Sequence, residues 1–151
     1  ADIAISAARV VRLFGFDPKV AFLSHSTFGE PKTDRTKRIS DAVDLLKKRN
    51  VNFKFDGEMQ PDVALEEMYK DLYPFSDIVG SSNVLIMPSQ HSAAISFKMI
   101  KSMSRAKLIG PLLVGLGQPI EIAPLRSSTS EILNLASIAA YSSDVIDYKK
   151  N

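Results

Sequence analysis

The sequence contains no cysteine among its 151 residues. A chain without cysteine forms no disulfide framework, offers no thiolate ligand to a metal and has no thiol nucleophile. The absence is typical of proteins from reducing compartments, so we expect a cytoplasmic location.

The sequence also lacks a large excess of charge of one sign, and it lacks long apolar runs. The formal net charge is +2, which is too small to predict a nucleic acid or an anionic membrane surface as a partner. No apolar run reaches the ~18 residues that a membrane-spanning helix needs. Hydrophobic residues nevertheless make up 45% of the chain and charged residues 24%, so the composition predicts a folded domain with its own core.

The chain also lacks an initial Met and begins at Ala1. A helical pattern starts at once, because Ile3, Ala7 and Val10 recur at helical spacing. The basic segment that opens a signal peptide is missing. We therefore expect residues 1–18 to form an N-terminal helix that enters the domain, and further sequence to precede Ala1 in the natural protein.

Beyond residue 18, short continuous apolar segments alternate with amphipathic helical ones. Strands are predicted at 20–24, 53–55, 84–88 and 108–114, with a short fifth strand around 120–122. Helices are predicted at 36–49, 63–73, 93–103 and 130–148. Continuous apolar strands separated by helices are typical of a parallel sheet that is covered on both faces. We therefore predict a three-layer α/β domain at 19–128 and a C-terminal helix at 129–151.

The loop at 24–29 follows the first predicted strand, and in parallel sheets ligands bind beyond the carboxyl ends of the strands. It carries the hydroxyl groups of Ser24, Ser26 and Thr27 together with Gly29. Hydroxyl groups and free backbone amides there suit a phosphate or a thioester carbonyl. The spacing matches neither the Walker A pattern nor the dinucleotide fingerprint. The alternative is that these hydroxyl groups only cap turns.

The two histidines, His25 and His91, both follow predicted strands. They could meet above the sheet as a metal pair or as an acid and a base. No carboxylate motif accompanies them, so we favour ordinary loop histidines and predict no metal site.

Two charged runs allow a functional and a structural interpretation. The acids at 56–62 could bind a divalent cation or supply a base, but we favour caps of the following helix. The basic residues near the second helix are typical of a solvated face, although one of them could contact a ligand phosphate. They are Lys32, Arg35, Lys37 and Arg38.

Five stretches of the sequence together carry a resemblance to a known family. They are VAFLSHSTFG (20–29), FDGEMQPDVAL (55–65), NVLIMPSQHSAAISFKMIKSM (83–103), LIGPLLVGLGQPIEIAP (108–124) and SSTSEILNLASIAAYSS (127–143). The chain resembles the second half of the phosphate acetyltransferases and butyryltransferases. The resemblance implies their second α/β lobe, with a C-terminal helix that packs on this lobe or on a missing first lobe.

The DGEMQ run at 56–60 makes the chain resemble, more narrowly, the C-terminal domain of bacterial hybrid NADP-dependent malic enzymes. This resemblance implies a domain that binds acetyl-CoA, inhibits the fused N-terminal malic enzyme domain and holds a homo-oligomer together as a dimer. That N-terminal part would convert malate to pyruvate with NADP and a divalent metal, Mg or Mn. We expect no cofactor in the present chain apart from acetyl-CoA as a ligand.

The sequence departs from the family pattern where the chemistry is done. The resemblance places Pro124 and Leu125 at the family's Ser-Arg pair, which holds the phosphoryl group, and Glu131 at an Asp that helps to ionise the thiol. Neither Pro124 nor Leu125 can bind a phosphate, so no catalytic residue is expected here. Arg126 lies one residue further on and could substitute in part. In another loop, Ser89 and Ala94 stand where the transferases have acidic and Asn side chains.

The positions that shape the CoA-facing cleft in the family are better kept. The acyl-CoA or phosphate contacts that the resemblance implies are Ser24, His25, Ser26, Thr27, Pro88, Gln90, Gly110, Gly115, Arg126 and Glu131. A cleft that keeps its shape but lacks the Ser-Arg pair that holds the phosphoryl group predicts a regulatory domain without transferase activity. Two alternatives remain open. One is an active phosphate acetyltransferase that uses Arg126 and Glu131. The other is a pure dimerisation module with a stripe of small and apolar residues on the last helix, namely Ile132, Leu135, Ala136, Ala139 and Ala140.

Overall fold

A parallel three-stranded sheet forms the centre of the first part of the chain. Its strands are β1 (Lys19–Leu23), β2 (Lys54–Met59) and β3 (Val84–Ile86), in the order β2-β1-β3. The helices are α1 (Asp2–Leu13), α2 (Asp34–Lys48), α3 (Pro61–Leu65), α4 (Gln90–Met103) and α5 (Thr129–Val145). The computed structural model describes residues 1–105 and 107–145. The chain divides into a first unit, Ala1–Lys98, and a second unit that begins at Met99.

Each face of the sheet is covered by an apolar core. Side chains alternate between the two faces along each strand, so each strand contributes to both cores. Val20 and Phe22 of β1 pack on one face, in a core that α1 and α2 complete with Ala8 and Leu46. The other face contains a second core, which consists of Ala21, Leu23, Met59, Val63, Ala64, Ile78 and Val79. The predicted three-layer α/β architecture with a parallel sheet is therefore confirmed.

The pairing between β1 and β2 contains a one-residue bulge close to the ends of the strands. Phe22 lies opposite Gly57, but Leu23 lies opposite Met59, so that Glu58 is the extra residue. Gly57 has a φ of 139° and lies against β1, where a Cβ atom would come 2.7 Å from the carbonyl oxygen of Phe22. The bulge therefore needs glycine at this position.

Helix α2 begins with a reciprocal cap. The Thr36 backbone N–H donates to Thr33 Oγ1 (3.2 Å), and the Thr33 N–H donates to Thr36 Oγ1 (2.9 Å). The cap starts the helix at Asp34, two residues before the predicted position of 36. A similar pair, Ser89 and Ser92, precedes α4, where each backbone N–H donates to the other hydroxyl at 3.2 Å. It moves the start of α4 from the predicted 93 to Gln90.

The predicted helix at 63–73 is wrong in its extent. Helix α3 ends at Leu65, Glu66 is extended, and a short 3₁₀ turn follows at Glu67–Tyr69. The reason is competition for carbonyl groups. The N–H groups of Gly80 and Ser82 donate to the carbonyl oxygens of Val63 and Ala64, which a longer α-helix would have used itself.

The fourth and fifth predicted strands, at 108–114 and 120–122, are absent from the part of the chain that the structure describes. Pro111 has no N–H for a ladder, and Gly110 has a φ of 126°. The Leu113 N–H donates to the Glu121 carboxylate (3.2 Å) rather than to a neighbouring strand. The segment is therefore an irregular connection in the second unit.

The last helix, α5, starts as the sequence predicts. The Ser128 N–H donates to Glu131 Oε2 at 2.7 Å, and the Glu131 N–H donates to Ser128 Oγ at 3.3 Å, which confirms the capping box. The predicted end at 148 lies outside the described residues. Among those residues, no helix has the length and apolar character to cross a membrane. The predicted boundaries at 18 and 128 stay predictions.

Candidate functional site

A cavity of about 640 Å³ opens in the first unit at the carboxyl ends of β1 and β3. We call it the serine cavity, because three serine side chains line it with two arginines and an apolar floor. Its lining consists of Ala1, Ile3, Phe22, Ser24, His25, Arg35, Arg38, Ile39, Ala42, Ile86, Met87, Pro88, Ser89 and Ser92. The cavity lies where ligands of parallel α/β sheets bind, and its volume is within the ~300–1,000 Å³ that small-molecule sites occupy.

Two arginines give the serine cavity its positive charge. Arg35 and Arg38 are three residues apart on α2, so they lie on the same face of the helix. Within the described part of the chain, neither arginine forms an ion pair. A guanidinium group that no carboxylate neutralises can bind a phosphate through two parallel hydrogen bonds. This pair is therefore the strongest candidate anion contact of the first unit.

The loop that follows β1 contributes Ser24 and His25 to the wall of the serine cavity. The Ser24 N–H donates to the Met59 carbonyl oxygen (2.9 Å), which continues the pairing of β1 with β2 by one residue. Further along the loop, Thr27 Oγ1 accepts from the Gln60 N–H (3.2 Å). The backbones of Thr27 and Glu30 pair with each other through two hydrogen bonds. These contacts hold Ser24 at the edge of the cavity.

Behind Ser24, a chain of three polar side chains leads into the protein. The Ser24 and Ser26 hydroxyl oxygens are 2.9 Å apart, and the Ser26 hydroxyl donates to Glu58 Oε1 at 3.1 Å. The same Oε1 accepts from the Gly29 N–H at 2.7 Å. Glu58 is only 2% exposed, and no lysine, arginine or histidine pairs with it among the described residues. We call this arrangement the serine–glutamate chain.

The second unit contains a separate and much smaller cavity of about 80 Å³. It is lined by Lys101, Leu108, Ile109, Gly110, Pro124, Arg126, Ser127, Glu131, Asn134 and Leu135. Such a volume is far below that of a site for a whole CoA molecule. Lys101 and Arg126 nevertheless supply two cationic side chains to its wall. We call it the small cavity.

Glu131 in the small cavity uses its carboxylate to cap α5. The Ser128 backbone N–H, and then the Ser128 hydroxyl, donate to Glu131 and lower the pKa of its carboxyl group below 4.5. The charge of Lys101 lowers this pKa further. The observed role of this carboxylate is to cap α5. Its contact with a ligand stays a prediction.

Both the sequence and the fold of the chain resemble those of known proteins. The phosphate acetyl/butaryl transferase family matches the chain over residues 1–140. The chain belongs to this family. It is 47% identical over 141 residues to the NADP-dependent malic enzyme of Rhizobium meliloti (strain 1021), a match that covers 93% of this chain and 18% of that enzyme.

The phosphate acetyltransferase of Bacillus subtilis (strain 168) is 34% identical over 141 residues, and the match covers 93% of this chain and 44% of that protein. Among solved structures, a phosphotransacetylase from Streptococcus pyogenes superposes with a TM-score of 0.90 at 30% identity, covering 95% of this chain and 44% of that one. The chain thus aligns with the transferase-like part of much larger malic enzymes. It spans about a fifth of their length and less than half that of the transferases.

The residues predicted to contact acyl-CoA or phosphate do not all lie in one cavity. Ser24, His25 and Pro88 line the serine cavity, whereas Ser26 is fully buried behind it and Thr27 holds the loop. In the second unit, Gly110, Arg126 and Glu131 line the small cavity. Gln90 and Gly115 line neither of these two cavities. None of these predicted contacts is tested by the geometry alone.

The two positions that the resemblance places at the family's Ser-Arg pair differ in their surroundings. Pro124 lines the small cavity, and the Leu125 side chain is fully exposed. Arg126, one residue further on, lines the same small cavity as Pro124. The arginine that could substitute for the family's arginine therefore lies at the wall of a cavity, although it comes from a shifted position in the chain.

The acids of the 56–62 run do not cap the following helix as predicted. Gln60 precedes α3, and no side chain caps that helix. Asp56 accepts from the Gly57 N–H instead (2.9 Å), and Asp62 accepts from the Tyr69 hydroxyl (2.9 Å). Both histidines are exposed, and the described residues contain no cluster of three or more His, Asp or Glu side chains that could hold a metal ion.

Sequence reasoning missed the serine–glutamate chain, although a signal for it was present. Glu58 and the 24–29 loop both follow strands that parallel pairing places side by side. Once β2 is known to neighbour β1, their carboxyl ends must meet, and the acid of one loop faces the hydroxyl groups of the other. The strand order, which the sequence does not contain directly, was the missing information.

Proposed function

We propose that this chain is the regulatory and oligomerising part of an NADP-dependent malic enzyme, and that it binds acetyl-CoA without transferring the acetyl group. The alignment with the transferase-like part of malic enzymes supports this proposal. The oxidative decarboxylation of malate to pyruvate, with NADP and Mg or Mn, would belong to the N-terminal part of the longer, cytoplasmic protein. The homo-oligomer would be held together by a dimer contact of the present domain.

One observation carries the binding proposal, namely the two unpaired arginines in the serine cavity. Acetyl-CoA is an anion with several phosphate groups and a long, mostly uncharged arm. Arg35 and Arg38 would bind phosphate oxygens, while the apolar floor, which includes Phe22 and Ile86, would contact the arm. The cavity volume also suits such a ligand, since ligand pockets need not enclose every atom.

We expect no transfer of the acetyl group because of the residues at positions 124 and 125. A transferase must stabilise the charge that develops on the phosphoryl group, and a bidentate arginine does so strongly. Leu125 offers no charge and points into solvent. Inhibition of the malic enzyme part then requires acetyl-CoA to bind the less active arrangement more tightly, by about 1–3 kcal/mol for an ordinary allosteric effector.

The longer protein provides the test. We expect acetyl-CoA to bind by calorimetry and to reduce malate-dependent NADPH formation. The Arg35→Gln/Arg38→Gln variant should lose both effects by roughly tenfold or more, because charge-assisted hydrogen bonds contribute about 1.5–3 kcal/mol each. The matched control is Lys47→Gln/Lys48→Gln, which removes the same charge from the other end of α2.

Two results would contradict the proposal. Equal loss in both double variants would mean that only the net charge of α2 matters. No binding heat at millimolar acetyl-CoA would leave a pure dimerisation module as the function.

An active phosphate acetyltransferase is the second candidate, and the position of Arg126 favours it. Arg126 and Lys101 line the small cavity next to Glu131, so a single tetrahedral anion could contact two cations there. Formation of acetyl phosphate from acetyl-CoA and phosphate by the longer protein would establish this function. Loss of that activity in Arg126→Gln would assign it to the small cavity.

A further inference from the structure

The serine–glutamate chain determines which kind of hydrogen bond Ser24 can offer to a ligand. Ser24 lines the serine cavity, Ser26 is fully buried, and Glu58 is 2% exposed. Ser26 and Glu58 are therefore almost completely removed from solvent, whereas Ser24 meets the cavity. The protons along the chain can therefore be assigned one by one from the distances.

Glu58 is an acceptor at the end of this chain. Its Oε1 receives the Gly29 N–H at 2.7 Å and the Ser26 hydroxyl at 3.1 Å. A backbone N–H can only donate, and a carboxylate can only accept. The single proton of the Ser26 hydroxyl therefore points to Glu58.

This assignment fixes Ser24 as well. The Ser24 and Ser26 hydroxyl oxygens are 2.9 Å apart, and Ser26 has already used its proton. The proton in this contact must come from Ser24. The Ser26 backbone N–H also donates to Ser24 Oγ at 3.3 Å. Ser24 then keeps one lone pair for the cavity and no proton.

We propose that Glu58, acting through Ser26, makes Ser24 a hydrogen-bond acceptor toward the serine cavity, so that Ser24 selects an N–H or O–H donor of the ligand. Given the proposed function, this donor is an amide N–H or a hydroxyl of the acyl-CoA arm. Phosphate oxygens are left to Arg35 and Arg38. Ser24 is thus a specificity residue of the cavity, and Glu58 is a positioning residue.

The reverse polarity would have a measurable cost. If Ser24 donated to a carbonyl or phosphate oxygen, the hydrogen bond between Ser24 and Ser26 would lose its proton, unless Ser26 turned its own proton away from Glu58. Ligand binding would then remove one hydrogen bond from the serine–glutamate chain. Glu58 also lines two further cavities, one with the charged groups of Lys32, Asp34, Lys37 and Asp41 and the other with those of Lys32, Lys47 and Asp56.

Calorimetry of acetyl-CoA binding tests the role of Glu58. We expect Glu58→Gln to bind acetyl-CoA nearly as the wild type does, because the amide oxygen of Gln keeps an acceptor for the Gly29 N–H and the Ser26 hydroxyl. A loss of affinity in Glu58→Gln as large as that in Ser24→Ala would overturn the proposal.

Two serine variants report on the ligand contact itself. Ser24→Ala should weaken acetyl-CoA binding about fivefold, as expected for one neutral hydrogen bond of about 1 kcal/mol. Ser26→Ala removes the acceptor of the Ser24 proton but leaves the Ser24 oxygen at the cavity, so we expect it to keep more of the acetyl-CoA affinity than Ser24→Ala does. Unchanged affinity in Ser24→Ala would show that Ser24 makes no contact with the ligand, which contradicts its role in specificity.

Neutron diffraction from deuterated crystals of the chain tests the polarity without any ligand. The expected nuclear density places the Ser26 deuteron toward Glu58 and the Ser24 deuteron toward Ser26. A deuteron on Glu58 Oε1, or a Ser26 deuteron toward Ser24, would refute the assignment. Absence of acetyl-CoA binding together with the expected deuterons would refute the proposed function alone.

Discussion

At the scale of single residues, glycine positions carry the sharpest structural requirements. Gly57 has a positive φ, and its Cα lies so close to β1 that a Cβ would be 2.7 Å from Phe22 O and 2.9 Å from Phe22 Cβ. Gly15 also has a positive φ, of 81°, but nothing lies within 4 Å of the position of its Cβ. A side chain at Gly15 would therefore be opposed only by the backbone conformation, whereas a side chain at Gly57 would also collide with β1.

Alanine at these two positions should consequently have different effects. We expect Gly15→Ala to cost about 1 kcal/mol of the free energy of unfolding, since only the positive φ opposes it. Gly57→Ala should cost at least ~2 kcal/mol more, because β1 and β2 must separate near the bulge. Urea unfolding of both variants measures the difference. Equal costs would mean that the bulge yields to an added methyl group without resistance.

The cap residue Glu131 predicts a specific dependence on pH. Its pKa is lower in the folded than in the unfolded chain, so its stabilising contribution is complete above the ordinary value of 4.5. That contribution disappears as the pH falls through the lower, folded-state pKa. We expect Glu131→Gln to be less stable than the wild type near neutral pH, with the difference decreasing as the pH falls below 4.5 and through the lower folded-state pKa. Unfolding curves over this pH range measure the difference, and a difference that persists unchanged in acid would contradict the assignment.

The predicted departure at 124–125 can be tested by mutation in the proposed malic enzyme. Pro124→Ser with Leu125→Arg introduces the Ser-Arg pair that the resemblance predicts for transferases at these positions. If the rest of the cleft is intact, we expect weak formation of acetyl phosphate from acetyl-CoA and phosphate, above the level of the unmodified protein. Leu125→Gln alone is the matched control, because it adds polarity without charge. Continued inactivity would mean that more than the Ser-Arg pair has been lost.

At the scale of elements, helix α2 connects a local cap to the proposed binding site. Thr33 and Thr36 close the first turn, and Arg35 lies within that turn. Thr33→Ala should cost about 1 kcal/mol of stability, as usual for the loss of an N-cap, and it should loosen the turn that positions Arg35. Thr33→Ser keeps the hydroxyl group and should behave like the wild type. Urea unfolding and acetyl-CoA titration of both variants check the two effects, and equal behaviour of the variants would refute the cap.

Elements with strong local signals were predicted well from the sequence. The strands β1 and β3, the helices α1, α2 and α5, and the box at Ser128 and Glu131 all follow from periodicity or capping chemistry. The errors occurred where tertiary contacts decide the outcome. Helix α3 stops because Gly80 and Ser82, from a distant part of the chain, take its carbonyl groups. The 108–114 segment is apolar like a strand, yet Pro111 interrupts any ladder.

The candidate site shows the same limit. Ser24 and His25 were recognised from their position after a strand, and they do line the serine cavity. Arg35 and Arg38 were noted only as members of a basic run, because the sequence does not say which face of α2 meets the cavity. Glu58 was interpreted as a helix cap, since its partnership with Ser26 depends on the neighbouring strand.

At the scale of the whole molecule, the two units differ in regular structure. The first unit contains the sheet and both cores, whereas residues 107–128 of the second unit form neither helix nor strand. Exposed backbone outside regular structure is the preferred substrate of proteases. We expect trypsin to cut the 151-residue chain first after Lys107 or Arg126, before Lys19 in β1. Mass spectrometry of the early fragments identifies the site, and first cleavage within the sheet would contradict the description of the first unit.

The bulge in β2 links two segments that are far apart in the sequence. Because Glu58 is the residue that the pairing leaves out, its deletion would restore a regular ladder and would also remove the carboxylate that accepts from Ser26. The 24–30 loop and the 57–59 segment therefore depend on each other for these contacts. Anyone who grafts this loop onto a related scaffold has to transplant the kinked end of the adjoining strand with it.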